Sequence, residues 1–152
     1  MVHVLIGTIF LLNCLNTKKV DSGGRWLNNL GYAVTDKRKF QSEYKFSIAF
    51  ENNAYRPQHP GYTTEKITQP MTVNSIPIYW GNPAINLEFN TDSFINFYNF
   101  KNVDEMINYI IELDKNDDKY LKLLKQPWFV DNQIPDSNKI ANIKSFLYKI
   151  FE

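Results

Sequence analysis

FSIAFENNAYRPQHPGYTTEK (Phe46–Lys66), followed by IPIYWG (Ile76–Gly81), decides how this chain folds. Phe46–Phe50 is mostly apolar and too short for a helix, so it reads as a buried strand. Glu51–Tyr62 carries Pro57, Pro60 and Gly61 and reads as a loop. Thr63–Asn74 reads as a helix capped by Thr63 or Thr64. Pro70 falls inside that helix and should kink or shorten it. Ile76–Trp80 reads as a second buried strand, ended by Gly81-Asn82-Pro83. Strand, loop, helix and strand in this succession make a βαβ unit, hence an α/β fold with a parallel sheet flanked by helices. Such sheets bind ligands beyond the carboxyl ends of their strands. Glu51 and Asn52 stand at one such end, Gly81 and Asn82 at the other.

Further along, Ser93–Phe97 (SFINF) reads as a third strand. Val103–Asp114 reads as an amphipathic helix with Val103, Met106, Ile107, Ile110 and Ile111 on one face, capped by Asn102 or Asp104. Asp117–Lys125 reads as a short helix. Ser137–Phe151 shows a helical stripe of Ile140, Ile143, Phe146, Leu147 and Ile150. These helices are expected to pack on the core. Upstream, Lys37–Tyr44 has Phe40 and Tyr44 four apart, a short helix pattern, and Asp21-Ser22-Gly23-Gly24 is a turn cluster. Val2–Leu15 (VHVLIGTIFLLNCL) is the most apolar segment. It is shorter than the roughly 20 residues of a membrane-spanning helix and lacks the basic start and small-residue cleavage site of a signal peptide. A buried helix or strand-helix is expected there.

The 152 residues are enough for one domain, and 43% hydrophobic content is enough for a core. The formal net charge of +1 asks for neither nucleic acid nor an anionic membrane. Residues 1–70 are nevertheless basic, with nine Lys and Arg against five Asp and Glu. A phosphorylated ligand would suit that half, although a chance asymmetry of the surface explains it as well. Cys14 is the sole cysteine, which excludes an intrachain disulfide and a thiolate metal site. With only His3 and His59, neither a histidine-based zinc site nor a Ser-His-Asp triad is expected. No G-x-G-x-x-G, G-x-x-x-x-G-K-[ST] or D-x-D is present, so neither dinucleotide nor P-loop chemistry nor a metal bridge to a diphosphate is indicated.

Glu51, Asn52, Tyr62, Thr64, Glu65 and Lys66 remain as candidate site residues. An aromatic ring, a carboxylate and an ammonium around one crevice are the parts that hold a nucleotide-sugar. Lys66 falls in the first turn of its helix, where a cation opposes the helix dipole unless an anion compensates it. It is read as a phosphate ligand, with Thr63 and Thr64 adding hydroxyls, or else as a solvated surface lysine that happens to stand near a helix start. Glu65 either accepts hydrogen bonds from ribose or sugar hydroxyls or is an ordinary acid at a helix start. Tyr62 either lies against the nucleoside or packs in the core. Glu51 directly follows a buried strand, a costly place for an unpartnered carboxylate. Asn52 either joins the site or forms an Asx turn.

At these residues the chain resembles the α-1,3/1,4-fucosyltransferases, glycosyltransferase family ten. The resemblance is carried by Phe50-Glu51-Asn52, by Tyr62-Thr63-Thr64-Glu65-Lys66 and by Ile76-Pro77-Ile78-Tyr79-Trp80-Gly81. Val20–Gly24, Asn28–Gly31, Ser93–Asn96, Phe100 and Asp114–Tyr120 add to it, and the likeness runs from about Asn16 to Phe129. It implies a Rossmann-like carboxyl-terminal half of a GT-B-type enzyme. Such an enzyme transfers fucose from GDP-fucose to a glycan hydroxyl, inverting the anomeric centre, in α-1,3 or α-1,4 linkage, without a cofactor or an essential metal. Glu51, Asn52, Tyr62, Thr64, Glu65 and Lys66 would then bind the donor, Lys66 at a phosphate and Glu65 at ribose or fucose hydroxyls. The general base would be a carboxylate of an amino-terminal, acceptor-binding domain for which this chain has no room.

The resemblance also implies a phosphate-binding Arg before the Gly-Gly turn. Gly7 stands in that place, and Arg25 lies too far along to fill it. Residues 1–15 are accordingly read as a divergent or truncated start, and 16–152 as the GDP-fucose-binding domain. The location implied is a Golgi membrane in a eukaryote, and the cytoplasm or a membrane periphery in a bacterium or virus. Any membrane association would come through segments this chain lacks. Two other readings stand beside this one: an inactive relic serving as a nucleotide-binding or interaction module, and an inverting transferase of another GDP-sugar.

Overall fold

The computed structural model describes residues 19–24, 28–52, 61–135 and 139–151. The apolar start Val2–Leu15, Gly7, Arg25, Cys14, both histidines and the loop carrying Pro57 and Pro60 lie outside the described residues, so the expectations placed on them are not addressed.

The expected βαβ unit is present. Strand β1 (Phe46–Phe50) pairs in parallel with β2 (Ile76–Trp80), in register from Phe46 opposite Ile76 to Phe50 opposite Trp80. A helix spanning Glu65–Met71 connects them. A third strand, β3 (Ile95–Asn96), pairs in parallel with the other side of β2, giving the order β1-β2-β3. Among the described residues the α-helices are α1 (Lys37–Gln41), α2 (Glu65–Met71), α3 (Val103–Lys115), α4 (Asp117–Leu124) and α5 (Ile140–Phe151).

Side chains alternate across the sheet, as the two-residue period of a strand requires. Ile76 and Ile78 of β2 face a layer made by Met106, Ile107 and Leu113 of α3 with Tyr120 and Leu123 of α4. Tyr79 and Ala49 face the opposite layer, where Ile67 and Met71 of α2 meet Ile85, Phe89 and Phe94. Every residue of β2 is therefore buried, which is why its sequence is an unbroken apolar run instead of an alternation.

Pro70 lies inside α2, which ends one residue later at Met71. The carbonyl of Pro70 then accepts from Val73 and Ser75 at 3.0 Å each. Asn74 carries the chain into β2 with φ of 60°, a left-handed conformation asparagine tolerates. At the amino end of the sheet, the Lys45 ammonium donates to Asp117 Oδ1 at 2.9 Å and to the Asp114 carbonyl at 3.1 Å. This ties α3 and α4 to the start of β1.

Two expectations need correction. SFINF was expected to be a five-residue strand, and only Ile95–Asn96 is extended and paired. Short side chains beside it bond to the local backbone instead: Asn90 Oδ1 accepts from Asp92 N at 3.1 Å, Ser93 Oγ donates to Asn90 O at 2.7 Å, and Asn96 Oδ1 accepts from Tyr98 N at 3.2 Å. These bonds favour turns over a ladder. The final helix forms where its stripe predicts, but it does not pack on the core. Ile140, Ile143, Phe146, Leu147 and Ile150 are all exposed. Amphipathicity specifies which face would be buried, not that another element meets it.

Upstream, Asn29 holds the turn cluster together. Its Oδ1 accepts from Ser22 N at 2.8 Å and its Nδ2 donates to Val20 O at 2.7 Å. Gly23 is needed for space there, since a Cβ would collide with the Val34 side chain.

Candidate functional site

The candidate residues gather where β1 ends and α2 begins. Glu51 continues the strand ladder, its N–H donating to the Trp80 carbonyl at 2.8 Å. Its side chain is 0% exposed. The carboxylate is satisfied from across the loop: Oε1 accepts from Thr64 N at 2.7 Å, and the Thr64 hydroxyl lies 3.0 Å from Oε1 and 2.8 Å from Oε2. The Lys66 ammonium stands 3.6 Å from Oε2, with its side chain 23% exposed. Glu51, Thr64 and Lys66 are thus one cluster, and the buried charge has the partners that a buried charge demands.

Thr64 is also the amino-terminal cap of α2, its Oγ accepting from Lys66 N at 3.4 Å. Of the two candidate caps, the structure selects Thr64. Thr63 has a different role: its Oγ accepts from Asn82 Nδ2 at 3.2 Å, which fastens the loop before α2 to the end of β2. Because α2 spans only seven residues, the charge at this corner comes chiefly from the ammonium and little from a helix dipole.

Asn52 is exposed immediately after Glu51. Tyr62 is 42% exposed, just past the turn at Gly61, whose φ is 112°. The alternative that Tyr62 packs in the core is therefore set aside. Glu65 is exposed in the first turn of α2.

Three further residues build this corner: Tyr79, which the sequence places in a buried strand, Gly81, which it places at that strand's end, and Tyr98, which no sequence signal singles out. Tyr79 is fully buried, and its hydroxyl accepts from Asn82 N at 2.9 Å. Burial pushes this hydroxyl up to about 12. Tyr98 donates its hydroxyl to the Gly81 carbonyl at 2.8 Å. Gly81 itself has no room for a side chain, since a Cβ would lie 2.5 Å from both Glu51 Cγ and Tyr79 Oη. A tyrosine in a wholly buried strand needs a partner for its hydroxyl, and that is the signal by which Tyr79 was findable in the sequence.

The corner is a surface of exposed groups on a buried polar base. An open depression of about 430 Å³ elsewhere, lined by Asn86, Phe89, Asn90, Pro127 and Phe129 among others, includes none of the candidate residues. Among the described residues no group of three His, Cys, Asp or Glu could hold a metal ion. Among the same residues no helix is long and apolar enough to cross a membrane.

Comparison with known proteins bears on what this corner holds. A model of the carboxyl-terminal part of glycosyltransferase family 10 (fucosyltransferase) matches residues 11–145. An α-(1,3)-fucosyltransferase of Helicobacter pylori is 46% identical over 105 residues, covering 69% of this chain and 21% of that protein. The crystal structure of an α1,3-fucosyltransferase with GDP-fucose is similar with a TM-score of 0.86 at 35% identity, covering 99% of this chain and 44% of that one. One with GDP is similar with a TM-score of 0.81 at 35% identity, covering 96% and 43%. The chain thus spans about a fifth of the curated relative and less than half of the solved chains.

Proposed function

We propose, from the premise that this chain belongs to glycosyltransferase family 10, the fucosyltransferases, that it is the donor-binding part of such an enzyme and binds GDP-fucose. The observation that carries the reading is the Lys66 ammonium, held at the β1 tip by the buried Glu51 carboxylate, with the exposed Tyr62 and Glu65 a few positions away along the chain. The same motif residues lie within the stretch that the family model matches.

In the proposed reaction the oxygen of a glycan hydroxyl attacks the anomeric carbon of fucose from the face opposite the diphosphate. The bond from that carbon to the phosphate oxygen breaks, and its electron pair leaves with GDP. The acceptor's proton goes to a carboxylate base in an acceptor-binding domain of the GT-B type, which this reading assigns to sequence outside this chain. The product is an inverted, α-1,3- or α-1,4-linked fucoside. Lys66 meets the negative charge that grows on the departing diphosphate, the kind of electrostatic help that weighs most in such steps. Glu65, Tyr62, Thr64 and Asn52 complete the donor pocket, Glu65 at ribose or fucose hydroxyls.

Calorimetric titration of GDP tests the reading. The wild type is expected to bind, and Lys66→Ala to bind at least about tenfold more weakly, the scale of one lost charge-assisted contact. Thermal melts of both proteins show whether the variant still folds, because the substitution leaves Glu51 buried without its cation. Equal affinity in two folded proteins would remove the reading. A panel of GDP-fucose, GDP-mannose and GDP-glucose separates a fucosyltransferase from a relative using another sugar.

A second reading is an interaction module, and the uncovered apolar stripe of α5 favours it. Stable self-association without any nucleotide-dependent thermal shift would select it. A monodisperse monomer that binds GDP would discard it.

A further inference from the structure

Resting on the donor-site reading, we infer that Glu51 is a positioning residue, holding the Lys66 ammonium from behind while the nucleotide never touches it. Thr64 and Lys66 are the groups that reach its carboxylate among the described residues. The Glu51 side chain is 0% exposed, against 23% for Lys66, so of the pair only the lysine is reached by solvent. Thr64 occupies both oxygens, through its N–H at 2.7 Å and its hydroxyl at 3.0 and 2.8 Å. On the remaining side Gly81 approaches so closely that even a methyl group would stand 2.5 Å from Glu51 Cγ. The carboxylate therefore presents no exposed surface to a sugar or a phosphate.

The separation of the pair gives the second half of the argument. A charge-assisted N–H···O bond is about 2.7–2.9 Å long. Lys66 Nζ lies 3.6 Å from Oε2, within ion-pair range but beyond a direct hydrogen bond. The carboxylate therefore attracts the ammonium without consuming its donors. An ammonium has three N–H groups, and these stay available to a diphosphate on the open side. Thr64 links the two residues, since the hydroxyl that bonds Glu51 also caps the N–H of Lys66. The unit sets where the charge stands before any ligand arrives, which lowers the cost of ordering a long flexible side chain on binding.

Binding of GDP and of guanosine to the whole chain tests this, with wild type, Glu51→Gln, Glu51→Asp, Lys66→Ala and the double variant Glu51→Gln/Lys66→Ala. Glu51→Gln keeps the shape and removes the charge. Glu51→Asp keeps the buried charge and withdraws it by one methylene, which guards against a variant that simply unfolds. A positioning role predicts that GDP affinity falls about tenfold in Glu51→Gln and by a smaller factor in Glu51→Asp. Guanosine, which carries no phosphate, keeps its affinity in both. The loss should disappear when Lys66 is already Ala. Losses shared equally by guanosine and GDP, or additive with Lys66→Ala, would mean direct contact or general damage and would overturn the inference. Unchanged GDP affinity in both Glu51 variants would overturn it too, while leaving the donor-site reading standing. A wild type that binds GDP no better than guanosine would instead bring down the phosphate site itself.

Discussion

Tyr79 shows how one buried hydroxyl organises the corner and also limits its tolerance of alkali. Its ring is fully enclosed in the layer of α2, against Phe94 at 5.7 Å between centroids. Its oxygen accepts the Asn82 N–H, which sets the turn that carries Asn82 Nδ2 to Thr63. Ionising it would place a charge in the interior, near the carboxylate of Glu51, so burial first and Glu51 after it hold its pKa at about 12. An unfolded tyrosine loses its proton near pH 10. The folded state thus binds the proton more tightly, and the stability this confers is complete below about pH 10 and lost as pH rises towards 12. Tyr44, bonded to Asp21 Oδ2 at 2.7 Å, is also raised to about 12 and acts in the same sense. Melting temperatures followed by circular dichroism should stay level to about pH 9–10 and then fall. Tyr79→Phe should start lower, having lost an acceptor for a buried N–H, and fall less steeply over that range. Parallel curves for the two proteins would show that Tyr79 does not drive the alkaline transition.

The elements differ in how firmly local chemistry specifies them. Helix α3 carries its own instructions: Asn102 Oδ1 accepts from Glu105 N at 2.9 Å, and Glu105 Oε2 reaches back to Lys101 N at 2.8 Å. Its apolar side then buries Met106, Ile107 and Leu113. Asn102→Ala should lower the unfolding free energy by about 1 kcal/mol, read as a shift of the urea midpoint with an unchanged slope. A change below about 0.3 kcal/mol would assign the helix start to packing alone and not to its cap. Helix α2 has the opposite balance. It is short, contains Pro70, and relies on Ile67 and Met71 buried under the sheet and on Thr64 bonded to Glu51. Its position is set from outside, by the sheet above it and by the carboxylate at its start.

At the scale of the molecule, a small parallel sheet sits between two layers, and α5 stands apart from both. Burial of Ile76, Ile78 and Ile95 on one side, and of Ile67, Tyr79 and Phe94 on the other, accounts for the body. The residues of α5 that would complete a core are exposed, Phe146 at 62%. A chain ending before Lys139 should therefore keep its urea midpoint within the change expected of surface substitutions, about 0.5 kcal/mol. It should keep its GDP affinity as well, and lose only the helical ellipticity of the missing segment. A large drop in midpoint would show that α5 contributes to the body after all.

Much of this architecture was legible in the chain itself. FSIAF and IPIYW are strands because they are short, apolar and bounded by turn residues. Val103–Lys115 is a helix because its apolar residues recur on one face after a capping Asn. Those signals lie within a few residues of one another, so local periodicity and turn chemistry carry them. The same holds for Thr64, Glu65 and Lys66, which a capped helix start places at the end of a strand. SFINF misled because the bonds made by Asn90, Ser93 and Asn96 to their own backbone outweigh β propensity. The stripe of α5 misled because a pattern states a need for a partner without supplying one. Glu51 and Lys66 are 15 positions apart, and no local rule pairs them. Only the closing of the βαβ crossover brings the end of β1 to the start of α2, setting the buried Glu51 carboxylate 3.6 Å from the Lys66 ammonium. The sequence determined the strands, the caps and the chemical groups available, because these depend on neighbours along the chain. The tertiary structure alone decided which charge answers which and which faces are covered, because burial and pairing depend on neighbours in space.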